Sequence, residues 1–194
     1  GVVVRINFLL FLLTIITSLQ GEAPDFLIIG AHKSGTSCLR HTLNTHPNVA
    51  PHYGEIHYFS NLFLEKDPSW YEAQLPVRTE ERFLVGEKGA GYLRCPEAPS
   101  RILSLYPNVK IVAILRNPVD KAYSHYWMSI RHGKEMLPFD DLVERHLTYQ
   151  ESSFIVSDSL YSTFLHNWFD AFPKEQILVL FLDDLEHKPI QTLA

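Results

Sequence analysis

Short apolar runs alternate with stretches of helical periodicity through most of the chain. The run at residues 26–29 stops at a glycine, and residues 109–115 form a second, nearly continuous apolar run. Such runs are typical of parallel strands that are covered on both faces. Shorter runs at residues 83–88 and 176–181 predict two further strands.

Apolar residues with a helical period lie between these strands. They predict helices at residues 36–45, 61–72, 98–105, 119–130, 138–149 and 160–171. Several of these helices begin at a proline or a hydroxyl residue. A last helical segment is expected after Asp183 and Asp184. Strands that alternate with helices predict an α/β domain with a mainly parallel sheet.

Residues 49–58 follow a different pattern, in which polar and apolar side chains alternate. Glu55 and His57 lie on either side of Ile56. A period of two is the period of a strand, because successive side chains of a strand point to opposite faces. The pattern predicts an extended segment that presents Glu55 and His57 on one face.

The segment after the first strand has the composition of a phosphate cradle. Lys33 lies between Gly30 and Gly35, and Thr36 and Ser37 come next, where a helix begins. Glycines let backbone N–H groups approach an anion, and the start of a helix presents its positive dipole end. Lys33 adds a full charge, and the two hydroxyls add donors. We predict an anion-binding loop here.

This loop differs from the G-x-x-x-x-G-K-[ST] loop of nucleoside triphosphatases. Gly30 and Gly35 have the right spacing, but Thr36 follows the second glycine and the lysine is Lys33. The next buried strand ends in Arg116, where a triphosphatase needs an acidic residue that holds magnesium. The loop favours an anionic nucleotide, and a P-loop kinase or triphosphatase is the alternative hypothesis.

Further polar residues are expected at the carboxyl ends of the strands, where parallel sheets bind ligands. Glu87 and Lys88 end one strand, and Arg116 ends another, with Ser124 eight residues later. An arginine at a strand end and a hydroxyl two turns into the next helix can converge on one phosphate. A helix-capping salt bridge is the alternative role of Arg116, and the neighbouring cradle favours the phosphate.

Composition narrows the class of protein. A chain of 194 residues, 46% hydrophobic and 20% charged, is ordinary for one globular domain. The net charge of −5 argues against a nucleic-acid partner, which needs a broadly basic surface. Cys38 and Cys95 make neither a disulfide framework nor a zinc site, and we expect two buried or half-buried thiols.

The beginning of the chain is apolar. Residues 6–21 carry no charge and follow Arg5, which fits a cleavable signal peptide or a short signal-anchor. We therefore expect a leader at residues 1–21, a domain at residues 22–194, and a location in the secretory pathway, either in the Golgi membrane or secreted. A strand or helix of the core is the alternative for the apolar segment.

The two strongest motifs resemble those of sulfotransferases that use 3′-phosphoadenosine 5′-phosphosulfate, in particular the carbohydrate (heparan-sulfate-type) branch. Residues 26–37 are similar to the family's 5′-phosphosulfate loop, and residues 114–126 to its 3′-phosphate segment. Weaker matches lie at residues 55–59, 87–92 and 160–161 and at Trp168, Phe169 and Phe172. The resemblance covers residues 24–194 and implies a P-loop-like three-layer fold, with a mainly parallel central sheet flanked by helices.

The resemblance also implies the reaction and the residues that bind the donor. A sulfuryl group passes from the donor to a hydroxyl or amine of a carbohydrate, without a metal. Lys33 contacts the 5′-phosphate and the sulfuryl oxygens. The 5′-phosphate is held by the following segment, which consists of Ser34, Gly35, Thr36 and Ser37. Arg116 and Ser124 hold the 3′-phosphate, and Tyr161 lines the donor site.

The catalytic residues follow from the same resemblance. Glu55 matches the general base that deprotonates the acceptor, and His57 is the alternative base. Lys88 matches a lysine near the sulfuryl group. For Glu55, a surface glutamate in a polar turn is the alternative. Lysines and backbone amides can replace a metal in such a transfer, because it depends on positioning and charge stabilisation.

Some positions depart from the family pattern. Ala90 stands where a proline is usual, and Ser159 where a glycine is common. A late, basic donor-binding loop is expected beyond Ala194, so we expect a C-terminally truncated chain, and an inactive homologue is a further hypothesis. One candidate acceptor surface consists of Lys66, Arg78, Arg131, His132 and Lys134.

Overall fold

The computed structural model describes residues 23–149 and 153–188. In this part of the chain four strands form one sheet: β1 (Phe26–Gly30), β2 (Gly86–Lys88), β3 (Lys110–Leu115) and β4 (Ile177–Phe181). Their order is β2-β1-β3-β4, and all neighbours pair in parallel. The predicted parallel sheet is confirmed, and β2 is shorter than its apolar run.

Helices connect the strands. Those of the described residues are α1 (Thr36–Asn44), α2 (Pro68–Glu72), α3 (Ala98–Leu105), α4 (Pro118–Arg131), α5 (Phe139–Thr148), α6 (Phe154–Ser157), α7 (Tyr161–Ala171) and α8 (Leu182–His187), with a π-helical turn at Tyr58–Leu62 and a 3₁₀ turn at Lys174–Gln176. The sequence pattern did not predict α6.

The sheet separates two hydrophobic layers, because alternate side chains of each strand point to opposite faces. On one face, Leu27 and Ile29 of β1 join an aromatic core with α3 and α7. On the other face, Phe26 and Ile28 pack against α1, and Leu182 of α8 completes the layer. The predicted three-layer α/β fold is confirmed.

The aromatic core contains large rings in direct contact. Tyr58 stacks on Tyr71 with ring centroids 4.8 Å apart, and the edge of Phe59 meets Tyr92 at 5.5 Å. Trp168 of α7 is buried below them and donates a hydrogen bond to the Leu93 carbonyl. These rings fix the loops on either side of β2, which carry part of the site described below.

The prediction of an extended segment at residues 49–58 was wrong. One parallel bridge joins Val49 to Leu84, the backbone after it is irregular, and a π-helical turn begins at Tyr58. His57 has a φ of 57°, which breaks the strand alternation. Glu55 and the Ile56 amide are held instead by individual hydrogen bonds with other segments.

The predicted helix at residues 61–72 was too long, since its α-helical part is α2. Pro68 is tolerated in the first turn of a helix but not further inside one. The Asp67 side chain caps the start of α2 and accepts a hydrogen bond from the Trp70 amide at 3.2 Å. The cap and the proline together place the helix start at this point.

Two other expectations concern the leader and the thiols. The predicted leader at residues 1–21 lies outside the described residues. Within them, no helix has the length and apolar character that a membrane crossing requires. Cys95 is half-buried as expected, but Cys38 is exposed, because it does not belong to the buried face of α1, which consists of Thr36, Leu39 and Leu43.

Candidate active site

A cleft of about 620 Å³ opens at the carboxyl end of the sheet, where parallel α/β sheets bind their ligands. Its lining includes Glu55, Lys88, Arg116 and Ser124 together with residues of the loop between β1 and α1. The structure therefore brings together most of the residues that the sequence predicted for a site, although they are distant in the chain.

The β1–α1 loop forms one wall with Lys33, Gly35, Thr36 and Ser37. Gly35 has a φ of 86°, and a Cβ there would lie 2.7 Å from the Leu182 side chain. Only glycine fits this combination of conformation and close approach. No side chain caps the start of α1, which leaves the positive end of this helix to face an anion.

Ser34 lies behind this wall. Its side chain is fully buried, with Oγ 3.5 Å from the His32 carbonyl oxygen. His32 does line the cleft, although the sequence analysis gave it no role. Burial lowers the pKa of His32 and so favours the neutral form of this imidazole. Its position inside the predicted anion-binding loop, directly before Lys33, is the sequence signal that could have identified it.

Arg116 and Ser124 form a second wall. The Arg116 guanidinium donates a hydrogen bond from Nη1 to the Lys33 carbonyl at 3.4 Å, so it reaches the cradle. The start of α4 is capped by the Asn117 side chain, which accepts from the Val119 amide at 3.0 Å. Asn117 therefore caps this helix, and the alternative role of Arg116 as a cap is not needed.

Tyr161 holds Arg116 from behind. Its hydroxyl donates to the Arg116 carbonyl at 3.0 Å and accepts from the Arg116 amide at 3.3 Å. Tyr161 is not among the residues that line the cleft. Its contact with a donor would therefore pass through the backbone of Arg116.

Glu55 and Lys88 form the third wall. The Lys88 ammonium lies 2.5 Å from Glu55 Oε1 and donates to Ser37 Oγ at 3.1 Å. The Ala90 amide donates to Glu55 Oε2 at 2.9 Å. Burial raises the pKa of Glu55, but the hydrogen bond and charge of Lys88 and the Ala90 amide outweigh it and lower the pKa overall. Glu55 is therefore an ionised, oriented carboxylate and not a free surface glutamate.

His57 does not line the cleft. Its backbone is left-handed at the start of the π-helical turn, and its carbonyl accepts hydrogen bonds from the Asn61 amide and from Ser60 Oγ at 3.3 Å. The geometry therefore favours Glu55 over His57 as the group that meets an acceptor.

A buried ion pair below the cleft escaped the sequence analysis. Lys121 of α4 is fully buried, and its ammonium lies 2.5 Å from Asp158 Oδ2. His125 Nδ1 lies 3.6 Å from the same oxygen. The signal was present, since Lys121 and His125 share the helix face of the buried Ala122 and Tyr126. The pair joins α4 to the segment that leads to Tyr161.

Among residues 23–149 and 153–188, no three or more His, Cys, Asp or Glu side chains are grouped so as to hold a metal ion. The cations that line the cleft on its three walls are Lys33, Lys88 and Arg116. Three cations beside an uncapped helix start suit a ligand with several negative charges.

Curated proteins provide similar sequences. Heparan sulfate glucosamine 3-O-sulfotransferase 6 of Mus musculus is 32% identical over 157 residues, which is 80% of this chain and 45% of that protein. The bifunctional heparan sulfate N-deacetylase/N-sulfotransferase 1 of Caenorhabditis elegans is 30% identical over 178 residues, 86% of this chain and 20% of that protein. The chain thus spans less than half the length of either relative.

Structural similarity and a family profile agree with these relatives. A solved sulfotransferase from Alicyclobacillus acidocaldarius superposes with a TM-score of 0.74 at 29% identity, covering 88% of this chain and 78% of that one. The sequence profile of the family described as sulfotransferase domain matches residues 23–194. That match includes every described residue of the cleft, and the chain belongs to the sulfotransferase domain family.

Proposed function

We propose that this domain transfers a sulfuryl group from 3′-phosphoadenosine 5′-phosphosulfate to a hydroxyl or amine of a carbohydrate. The observation that carries the proposal is the meeting of three elements in one cleft: the cradle, the wall of Arg116 and Ser124, and the Glu55–Lys88 pair. A kinase or triphosphatase is not favoured, because neither the family nor the position of Lys33 supports it.

The donor has two anionic ends, and the cleft has two matching groups. Lys33 and the first turn of α1 suit the 5′-phosphosulfate, since backbone N–H groups and a lysine together bind phosphate. Arg116 and Ser124 suit the 3′-phosphate, because an arginine presents its donors in a planar fork. Lys33 and Arg116 are in contact through a hydrogen bond, so one molecule can bridge both groups.

The transfer step follows from the positions of Glu55 and Lys88. Glu55 accepts the proton of the acceptor hydroxyl or amine, whose oxygen or nitrogen forms a bond to sulfur. The bond between sulfur and the 5′-phosphate oxygen breaks, and 3′-phosphoadenosine 5′-phosphate leaves. Lys88 lies between Glu55 and Ser37 of the cradle, where it can stabilise the charge on the transferred group. Lys33 stabilises the charge that develops on the leaving phosphate.

The relatives support a carbohydrate acceptor, since both are sulfotransferases that their names assign to heparan sulfate. The candidate acceptor surface named above is divided in this structure. Arg78 is paired with Asp25 at 2.5 Å, and Lys66 lies over the Trp70 ring, 5.8 Å from its centroid. Lys134 and His132 are exposed on the segment after α4, which makes them the better candidates.

A transfer assay tests the proposal. Full-length protein is incubated with donor that carries radiolabelled sulfate and with a panel of glycans, and label on the glycan is measured. We expect transfer to at least one glycan, and a higher unfolding temperature with 3′-phosphoadenosine 5′-phosphate. Absence of both effects contradicts the proposal. Stabilisation by ATP with magnesium instead supports the kinase alternative, and stabilisation without transfer supports an inactive homologue.

We also propose a location in the secretory pathway, in the Golgi membrane or secreted, on the basis of the uncharged segment at residues 6–21. A fluorescent protein is fused to the carboxyl end of the chain with and without residues 1–21. Golgi or secreted fluorescence that disappears on deletion supports the proposal. The same distribution for both fusions contradicts it.

A further inference from the structure

The last two residues of β2 place charged side chains on opposite faces of the sheet. Lys88 lines the cleft, whereas Glu87 is bonded to tyrosines of the aromatic core. This follows from the alternation of side chains along a strand, and Glu87 pairs in register with Leu27 of the same core. The reaction scheme above uses Lys88 and gives Glu87 no role.

Glu87 is 1% exposed, and both of its carboxyl oxygens accept hydrogen bonds. Its Oε1 accepts from the Tyr92 hydroxyl at 2.8 Å and from the Ile56 amide at 3.1 Å, and its Oε2 accepts from the Tyr71 hydroxyl at 2.9 Å. None of these donors is charged. A buried carboxylate is costly, and an apolar side chain of similar volume often stabilises such a position as well. The packing of the core therefore does not by itself require a carboxylate at this position.

The Ile56 amide connects Glu87 to the proposed base, because Ile56 directly follows Glu55. The backbone around them has no regular structure, and side chains from outside hold it. Arg40 donates to the Gly54 carbonyl at 3.0 Å, and Glu87 accepts from Ile56. The position of the Glu55 backbone thus depends on Glu87.

Two adjacent strand residues therefore hold two adjacent loop residues. Glu87 holds the Ile56 backbone from the core side, and Lys88 holds the Glu55 carboxylate from the cleft side. A strand is a rigid support, and catalytic groups supported in this way keep their geometry better than groups on a free loop.

We propose that Glu87 is a positioning residue for sulfuryl transfer: through the Ile56 amide it fixes the Glu55 carboxylate beside Lys88 and the cradle. The inference rests on the proposed function, since it takes Glu55 as the base. The ionised Glu87 accepts from all three donors at once. A protonated Glu87 has to donate with one oxygen, which weakens its hold on the loop.

The protonation of Glu87 gives this role a pH dependence. Burial raises the pKa of Glu87 to about 7, the charge of Glu55 acts in the same direction, and the hydrogen bonds from Tyr92, Tyr71 and Ile56 lower it. Lys88, on the other face of the strand, is paired with Glu55. Ionisation of Glu87 strengthens its hydrogen bonds, so transfer is expected to accelerate as the pH rises through about 7.

The first test is Glu87→Gln in the full-length protein. Glutamine keeps the size of the side chain and one acceptor oxygen, but it is always neutral and places an NH₂ group against a tyrosine. We expect kcat to fall by about 10–100-fold, because small displacements of a catalytic group have effects of that order. The affinity for 3′-phosphoadenosine 5′-phosphate stays within about twofold, and the rise of kcat near neutral pH disappears.

The second test is Tyr71→Phe, which removes one donor to Glu87 and leaves the Ile56 contact. Loss of a hydrogen bond to the charged form raises a carboxyl pKa, so the midpoint of the rise moves to higher pH and the plateau of kcat is kept. Tyr106→Phe is the matched control, since the Tyr106 hydroxyl donates to Glu72 at 3.0 Å and not to Glu87. It leaves the midpoint unchanged.

A third measurement does not depend on activity. Hydrogen exchange of the Ile56 amide is expected to be faster in Glu87→Gln than in the wild type. Unchanged exchange, an unchanged pH profile of kcat, or a loss of donor affinity that parallels the loss of kcat overturns the inference. If the wild type transfers no sulfate, the proposed function fails while the exchange rates still decide on Glu87. If Glu87→Gln does not fold, the midpoint in Tyr71→Phe decides.

Discussion

Two walls of the cleft are built in different ways. The cradle runs directly from β1 into α1, and its shape follows from local features such as the left-handed Gly35 and the uncapped helix start. The opposite wall is an irregular loop, and its Glu55 is held by Lys88 at the end of β2. The proposed site for the 5′-phosphosulfate is thus encoded within a dozen residues, whereas the proposed base is positioned by contacts between distant segments.

Because the two walls are built differently, changes in them separate the binding of the donor from the chemical step. A change in the cradle alters the affinity for the donor and the charge stabilisation together, because the same N–H groups and lysine serve both. A change at Glu55 itself is expected to alter the proton transfer and to leave the binding of the donor unchanged.

The largest effect is expected from Glu55→Gln. Removal of a general base lowers kcat by about 10²–10⁴-fold, while the dissociation constant of 3′-phosphoadenosine 5′-phosphate stays within about threefold. Steady-state kinetics and calorimetric titration measure the two quantities. Glu65→Gln, an exposed carboxylate on another loop, is the control and keeps full activity. A Glu55 variant with normal kcat removes this residue from the mechanism.

Lys33→Ala is expected to lower kcat by about 10²–10³-fold, as for the loss of one group that stabilises a developing negative charge. Unlike Glu55→Gln, it also weakens the binding of 3′-phosphoadenosine 5′-phosphate, because Lys33 lies in the cradle. Lys174→Ala, at the opposite end of the sheet before β4, is the control for a lost positive charge. Unchanged donor binding in Lys33→Ala contradicts the assignment of the cradle.

Arg116→Ala is expected to act on binding more than on chemistry. The loss of charge-assisted hydrogen bonds weakens the affinity for 3′-phosphoadenosine 5′-phosphate by about 10–100-fold. Adenosine 5′-phosphosulfate, which lacks the 3′-phosphate, is the matched ligand, and its affinity changes little. Equal losses for both ligands contradict a 3′-phosphate role for Arg116.

Tyr161→Phe provides a weaker form of the same change. It removes the hydroxyl that donates to the Arg116 carbonyl and accepts from its amide, and leaves the guanidinium in place. The affinity for 3′-phosphoadenosine 5′-phosphate is expected to fall by about 3–10-fold, the value of one or two neutral hydrogen bonds. A loss as large as that of Arg116→Ala would show that Tyr161 contacts the donor directly.

The fold and the cradle were predictable from the sequence because both depend on local signals. Continuous apolar runs identified the strands, and Gly35 with Thr36 and Ser37 identified the turn into α1. The end of the apolar run of β3 predicted Arg116, and the helix that follows predicted Ser124, since the carboxyl ends of parallel strands meet at one edge of the sheet.

The rest depended on contacts that sequence spacing does not reveal. The alternation around Glu55 suggested a strand, but side chains of β2 from more than thirty positions away hold that loop. The buried Lys121–Asp158 pair and the tyrosines around Glu87 are also products of tertiary packing. Among them, only Lys121, on the buried face of α4, gave a sequence signal.

The smallest effect concerns stability and distinguishes the two glutamates by sign. The pKa of Glu87 is raised from 4.5 to about 7, so between these values the folded chain keeps a proton that the unfolded chain has lost. Its contribution to stability is complete below about 4.5 and is lost as the pH rises through about 7. Glu55 has a lowered pKa, so its contribution is present above 4.5 and is lost as the pH falls below that value.

Thermal unfolding of the wild type and both variants between about pH 2 and about pH 8 tests this difference, with expected shifts in Tm of a few degrees. Glu87→Gln flattens the decline of Tm between the ordinary carboxyl range and neutrality, and Glu55→Gln flattens the decline on the acid side. A general loss of folding stability in a variant would lower Tm in both pH ranges alike. A change near neutral pH in Glu87→Gln and a change at acid pH in Glu55→Gln therefore show that the two glutamates, on the core side and the cleft side of β2, titrate separately. Identical pH profiles for the two variants contradict that separation.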